Sequence, residues 1–283
     1  MAMDTVGVIG AGIMGNGIAQ VSAAAGFRVV MMDVNPEAIE RGIETISTSL
    51  DRLVKKERMT AEQRLATLSR ITGTTDLQDL APADYIIEAA SENEAVKIKI
   101  IKDVAAIVGP STVFATNTSS ISITRLAAAS GRPDRFVGLH FFNPVPVLPL
   151  VEVIRGMQTA DDAYNKIMAL GRAIGKAPIN ARNSPGFVVN RILVPMINEA
   201  VFVLQEGLAT AQEIDDGMKM GANHSIGPLA LADLIGLDTL LAVMETLYEG
   251  FSQDKYRPAP LLREMVDAGY LGRKNGRGFF TYS

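Results

Sequence analysis

Few side chains in this 283-residue sequence could carry out covalent or acid–base chemistry, because it holds two histidines and no cysteine. Without cysteine there is no disulfide, thiolate metal site or thiol nucleophile. Two histidines are too few for a His-rich cluster, so no metal site is expected. What remains is proton transfer by histidine, which titrates near neutral pH. His140 stands near the end of an apolar run, Val137-Gly138-Leu139-His140-Phe141-Phe142-Asn143-Pro144. Glu152 lies inside the next such run, Leu150-Val151-Glu152-Val153-Ile154. Only a Pro-rich turn separates them, so the two runs can pair like a hairpin and bring Glu152 beside His140. A buried carboxylate needs a partner; on one imidazole nitrogen it fixes the tautomer and raises the basicity of the other. The alternatives are a core histidine and a glutamate facing water at a sheet edge.

A second signal is Gly10-Ala11-Gly12-Ile13-Met14-Gly15, which follows a strand-like run and opens a helical stretch over 15–25. In that setting Gly10 permits a tight turn, Gly12 lets the backbone approach a pyrophosphate, and Gly15 allows close helix–strand packing. Main-chain N–H groups at the helix start then face the phosphates. Asp33 follows at the end of the next strand, close to the spacing for a carboxylate that accepts adenosine ribose hydroxyls. It would repel a 2′-phosphate, and Val34-Asn35-Pro36 supplies no cation to receive one, so NAD is expected over NADP. The alternative is a glycine-rich turn with Asp33 as a helix cap. Two polar clusters stay open between substrate contact and structure: Thr116 to Ser120, which could instead cap a helix, and Asn190 with Arg191, which could form a buried network.

The elements that must position these residues alternate. Strands are expected at 5–9, 28–33, 85–89, 113–116, 136–141, 150–154 and 177–180, with helices such as 36–56 and 93–108 between them. Early strands without polar alternation suit a parallel sheet covered on both faces. The crossover from Asp33 to Ile71 is long enough for two helices, 36–56 and 61–69, the second capped by Thr60. After the turn-rich stretch 182–186 the pattern is helical, over 187–206, 228–235, 238–250 and 260–268, with a capping box at Thr210. The expected fold class is α/β, a Rossmann-type doubly wound sheet domain over 1–183 with a helical hairpin insertion. An all-α domain over 184–283 follows. The run 187–206 is apolar nearly all round, which calls for cover on every side, and its Asn190, Arg191, Asn198 and Glu199 argue against a membrane span. A net charge of −4, from 27 basic and 31 acidic residues, speaks against a broad nucleic-acid or membrane surface. The first strand begins too early for a leader ahead of it, and a cytoplasmic location is expected.

Taken in order, Gly10 to Gly15, Asn117-Thr118-Ser119-Ser120, His140 to Pro144, Leu150 to Val153, Ser184-Pro185-Gly186-Phe187-Val188-Val189-Asn190-Arg191 and Gly272 to Phe279 resemble the L-3-hydroxyacyl-CoA dehydrogenases. The resemblance covers essentially the whole chain and is nearest to bacterial single-function members acting on 3-hydroxybutyryl-CoA. It implies reversible NAD-linked oxidation of a short (S)-3-hydroxyacyl-CoA to the 3-oxoacyl-CoA, a step of fatty-acid and butanoate metabolism. By the same resemblance His140 is the base and Glu152 its orienting partner, while Ser119 and Asn190 hold the substrate. Glu92 and Lys97 lie near the NAD ribose and nicotinamide, with Ile13, Met14, Asn117 and Asn143 also at the cofactor. A homodimer through the helical domain is implied as well. The stretch 51–58 gathers Arg52, Lys55, Lys56 and Arg58 on the inserted hairpin, which the family places over the CoA moiety; charge alone also fits a solvated helix end. Departures from the family pattern are Pro149, Ser225 and Phe279-Phe280-Thr281, and Pro149 bears on acyl-CoA positioning. Dehydrogenases of free hydroxy acids, of the hydroxyisobutyrate or L-gulonate type, are the competing reading.

Overall fold

The computed structural model describes residues 4–282, in two units, the first ending at Asn183 and the second beginning at Ser184. In the first unit β1 (Thr5–Ile9) is buried at every position, which is why it carries no polar alternation. It is followed by α1 (Ile13–Ala24), β2 (Arg28–Met32), α2 (Pro36–Lys55), α3 (Ala61–Leu68), β3 (Ile71–Thr74), β4 (Tyr85–Glu88) and α4 (Glu94–Ala105). Then come β5 (Val113–Thr116), α5 (Ile123–Ala129), β6 (Phe136–Phe141), β7 (Leu150–Arg155), α6 (Asp161–Ala173) and β8 (Ala177–Arg182). The sheet order is β3-β2-β1-β4-β5-β6-β7-β8. All neighbours are parallel except β6 and β7. The stretch between Phe141 and Leu150 is too short for a parallel crossover, which takes a dozen or more residues, so the chain reverses there.

The sequence reading missed β3. Its four residues, Ile-Thr-Gly-Thr, are half-buried or exposed and too few to show a period. Gly73 accommodates the helix above it, since a Cβ there would come within 2.3 Å of Ile39. β2 stops one residue short of Asp33, while β7 and β8 run on to Arg155 and Arg182. The inserted hairpin forms as expected. Asn35 caps α2 by accepting from the Glu37 N–H, and Ile39, Gly42, Ile46 and Leu50 form its buried stripe. Thr60 and Gln63 close a capping box on α3, and Arg64 ties the arms together through Asp51 at 2.7 Å.

The second unit contains α7 (Val189–Gln205), α8 (Ala211–Gly221), α9 (Pro228–Ile235), α10 (Leu237–Phe251) and α11 (Pro260–Asp267). Its core gathers Ile197, Val201, Leu229, Leu240, Met244 and Leu262. Two buried carboxylates that the sequence did not single out knit it. Asp215 accepts from the Leu229 and Ala230 N–H groups, capping α9 where Gly227 has no side chain to do so. Asp233 accepts from the Phe279 and Phe280 N–H groups and the Tyr282 hydroxyl, holding the C-terminal stretch. The all-round cover expected of 187–206 is not met within one chain: Ile192 on α7 remains 67% exposed. No described helix is long and apolar enough to cross a membrane.

Candidate active site

The parallel order around β1 reverses between β1 and β4, and ligands of doubly wound sheets bind at such a switch point, outside the carboxyl ends of the strands. The candidate residues collect there. Gly10 has φ +98°, and a Cβ on it would sit 2.7 Å from the Ala89 carbonyl oxygen. On Gly15 a Cβ would lie 1.7 Å from the Gly10 oxygen, whereas on Gly12 it would meet nothing within 4 Å. The turn is therefore closed by two glycines and left open at the third, before the first N–H groups of α1. No side chain caps that helix and its first turn holds no acid, which leaves the first N–H groups of α1 for an incoming anion. Asp33 is half-buried beside this turn. One carboxylate oxygen accepts from Ala11 N–H at 2.8 Å and the other from Asn35 N–H at 3.0 Å. These residues fit a dinucleotide: an open, donor-rich turn for the pyrophosphate and a fixed carboxylate for the ribose.

His140 and Glu152 are direct cross-strand partners in the β6–β7 pair. Side chains of facing residues stand on the same face of a sheet, and here His140 Nδ1 lies 2.7 Å from Glu152 Oε2. His140 is 5% exposed and Glu152 is fully buried. The glutamate is not at a water-facing edge, because β8 covers the outer side of β7. Phe142 packs against the imidazole, with ring centroids 4.6 Å apart. Asn117, just past β5, accepts from the Phe141 N–H at 2.8 Å through its side-chain oxygen and so braces the residue next to His140.

Glu92 gathers the loop after β5. A single oxygen, Oε1, accepts from the Thr118 hydroxyl (2.6 Å), from Ser119 N–H and Oγ (2.8 and 3.1 Å), and from Ser120 N–H and Oγ (3.2 and 2.9 Å). Burial alone would push the Glu92 carboxyl up; the Lys97 charge and these bonds outweigh it and hold the carboxyl below its usual range. Lys97 is 1% exposed. Its ammonium donates to both carboxylate oxygens of Glu88, at 2.8 and 2.9 Å, and lies 3.5 Å from Glu92. Glu88 also accepts from the Thr116 hydroxyl and the Ala90 N–H. Sequence reasoning did not single out Glu88; the available signal was an acid ending an apolar strand with a lysine nine residues later.

Residues 5–184 match the family description "3-hydroxyacyl-CoA dehydrogenase, NAD binding domain", and residues 186–282 match "3-hydroxyacyl-CoA dehydrogenase, C-terminal domain". The chain belongs to the 3-hydroxyacyl-CoA dehydrogenase family. A probable 3-hydroxybutyryl-CoA dehydrogenase of Deinococcus radiodurans is 52% identical over 276 residues, spanning 98% of this chain and 99% of the relative. The 3-hydroxybutyryl-CoA dehydrogenase of Bradyrhizobium diazoefficiens is 51% identical over 98% of this chain and 94% of its own length. Among solved structures, an (S)-3-hydroxybutyryl-CoA dehydrogenase from Ralstonia eutropha superposes with a TM-score of 0.97 at 59% identity, covering 100% of both chains. Like the family, this chain is an NAD-dependent oxidoreductase acting on a CH–OH group.

Other residues that the family resemblance points to sit on α7, at the hairpin tip and in the turn after β6. Asn190 is half-buried in the first turn of α7, in the second unit. Its neighbour Arg191 donates from Nε to the Tyr256 hydroxyl at 3.3 Å and stacks over Phe251. Arg52, Lys55, Lys56 and Arg58 at the hairpin tip are all exposed. Asn143 is exposed after Phe142, as is Pro149 at the far end of the same turn, and Ser225 is exposed in a loop of the second unit.

Proposed function

We propose that this family member interconverts (S)-3-hydroxybutyryl-CoA and acetoacetyl-CoA, with His140 as general base and Glu152 as its orienting partner. The observation that carries the reading is the buried 2.7 Å contact between them. NAD, when bound, supplies the hydride acceptor. Gly10, Gly12 and Gly15 make the turn for its pyrophosphate, flanked by Ile13 and Met14, and Asp33 accepts its ribose hydroxyls. Glu152 holds Nδ1 as the protonated nitrogen of a neutral ring. The opposite nitrogen takes the substrate hydroxyl proton, and the carboxylate stabilises the imidazolium that forms. Ser119, whose hydroxyl donates to Glu92, holds the substrate by turning that single O–H to the substrate oxygen, whose own proton goes to His140. Glu92 and Lys97 support the cofactor side of the same loop, with Asn117 and Asn143 beside it, and Asn190 holds the substrate.

Arg52, Lys55 and Lys56, assisted by Arg58, meet the CoA phosphates. The chain acts as a homodimer through its helical unit, in the cytoplasm. One spectrophotometric assay tests the activity: loss of NADH with acetoacetyl-CoA, then with NADPH, then with free 3-oxo acids. Rapid turnover is expected only with NADH and the thioester. Equal turnover per KM with NADPH would remove the role given to Asp33. Preference for a free acid would favour the hydroxy-acid reading, which the exposed cations of the hairpin oppose.

A further inference from the structure

Lys176 is a buried cation that the proposed reaction does not use. It lies between α6 and β8 and is 8% exposed. Its ammonium donates to the main-chain carbonyls of Val145 and Leu148, the latter at 2.8 Å. Removing an ammonium from water is costly even when it is hydrogen-bonded, and neutral carbonyls offset that cost less well than a carboxylate. Burial accordingly lowers the Lys176 pKa from its ordinary value. Two carbonyls in a surface turn could be satisfied by water at no such cost. A lysine committed to them marks a turn that must keep one shape.

That turn joins the His140 strand to β7, and the rest of its structure is equally fixed. The Val147 and Leu148 N–H groups both donate to the Pro144 oxygen at 3.0 Å, and the Ala177 N–H donates to the Pro149 oxygen at 2.7 Å. Val145 is buried over Gly17 of α1, where a Cβ would come within 2.8 Å of it. Despite this anchoring the turn displays apolar side chains to solvent: Val147 is 72% and Leu148 38% exposed. Between them and Val145, Pro146 lines a cavity of about 310 Å³ with Leu50, Leu53 and Met59 of the hairpin. The turn thus starts at the strand of the residue assigned to proton transfer and, through Pro146, shares a pocket with the hairpin, α1 and the end of α6.

We infer that Lys176 is a positioning residue, holding 144–149 as a platform for the pantetheine arm of the substrate. The inference rests on the reading of the substrate as an acyl-CoA. The arm is a chain of methylenes and amides that must span from His140 to the hairpin, and Val147 and Leu148 offer it apolar area on that path. A platform ordered before binding lowers the entropy cost of association. Its loss belongs in the KM for acyl-CoA, while KM for NADH stays unchanged.

The test uses the full-length enzyme carrying Lys176→Met, Lys176→Arg or Val147→Asp. Lys176→Met is expected to raise KM for acetoacetyl-CoA roughly tenfold with KM for NADH unchanged, the pattern of lost uniform binding. Lys176→Arg, which keeps the charge and donors, should recover most of that loss. An acetoacetyl thioester of N-acetylcysteamine, which lacks most of the arm, should respond little. Hydrogen exchange at the Val147 and Leu148 amides reads the clamp without any substrate and should accelerate in Lys176→Met. Val147→Asp changes an exposed side chain and should also raise only the acyl-CoA KM, so the platform is tested even if Lys176→Met fails to fold. Unchanged exchange and unchanged KM in a folded Lys176→Met protein overturn the inference, as does a parallel rise in both KM values. If the wild-type enzyme reduces no acyl-CoA while exchange still accelerates, the substrate reading and the platform fall together and only the clamp stands.

Discussion

His140 and Glu152 face each other across two antiparallel strands, so the backbone register sets their contact before any side-chain choice is made. The ring is further confined by Phe142. Replacing His140 with Gln should therefore lower kcat by about 10²–10⁴, the usual worth of a positioned proton-transfer group, with NADH binding intact by fluorescence titration. Glu152→Gln keeps the shape but removes the charge that stabilises the imidazolium, and should lower kcat more than it weakens NADH. Near-normal kcat in the His140 variant would sink the mechanism. Glu92 makes a pH prediction. Its carboxyl is held below the ordinary 4.5 by Lys97 and the 118–120 donors, against the upward push of burial. A depressed carboxylate stabilises the fold above its unfolded value, and that contribution disappears as pH falls through the folded value. The denaturant midpoint of wild type should exceed that of Glu92→Gln by a steady margin well above pH 4.5, and the margin should shrink as the solution is made more acidic through and below that value. A margin independent of pH would mean that the charge on Glu92 contributes nothing.

At the scale of elements, the inserted hairpin carries the clearest test. Its arms are fixed by a cap, a capping box and the Arg64–Asp51 pair, so the cations at its tip are presented on an ordered support. Exposed ion pairs contribute only about 0.2–1 kcal/mol each and are screened by salt. The double variant Lys55→Ala with Lys56→Ala should raise KM for acetoacetyl-CoA a few-fold at low salt, leaving kcat and KM for NADH almost unchanged. A wild-type KM at low salt would return the hairpin to a solvated helix end. This element was legible in the sequence because its length exceeded what the crossover needed and Thr60 and Gln63 mark a helix start. Glu152 was legible as an acid inside an apolar run. β3 was not, since its four residues, half-buried at the ends and exposed in the middle, carry no period and exist as a strand only because β2 offers a free edge. The Glu88–Lys97 pair was equally hidden: it closes across a strand end, a loop and a helix start, where no periodicity applies. Asp215 and Asp233 cap elements that are neighbours only after folding. Asn190 and Ser119 stood out through family resemblance, their local patterns leaving substrate contact and structure equally open.

For the whole molecule the open question is what covers the second unit. Its 187–206 segment reads as a helix buried on every side, yet within one chain Ile192 is 67% exposed, and Met220 on α8 is 81% exposed. Scattered exposed apolar residues are ordinary on a protein surface. A helix whose sequence is apolar nearly all round is not, and a second copy of the chain is the partner proposed for it. In a two-fold dimer each contact occurs twice. Removing Ile192 from the interface would then forfeit two side-chain burials, at about 1.5–3 kcal/mol each, which weakens the dimer by about 10²–10⁴. The wild-type enzyme should sediment near twice its chain mass of 30.3 kDa at micromolar concentration. Ile192→Glu should sediment as the single chain under the same conditions, with Met220→Glu as a second probe of the same unit. Circular dichroism of each variant separates dissociation from unfolding. A folded Ile192→Glu protein that remains dimeric would move the interface away from α7, and a wild-type enzyme that sediments as a monomer would leave α7 bare in the active protein.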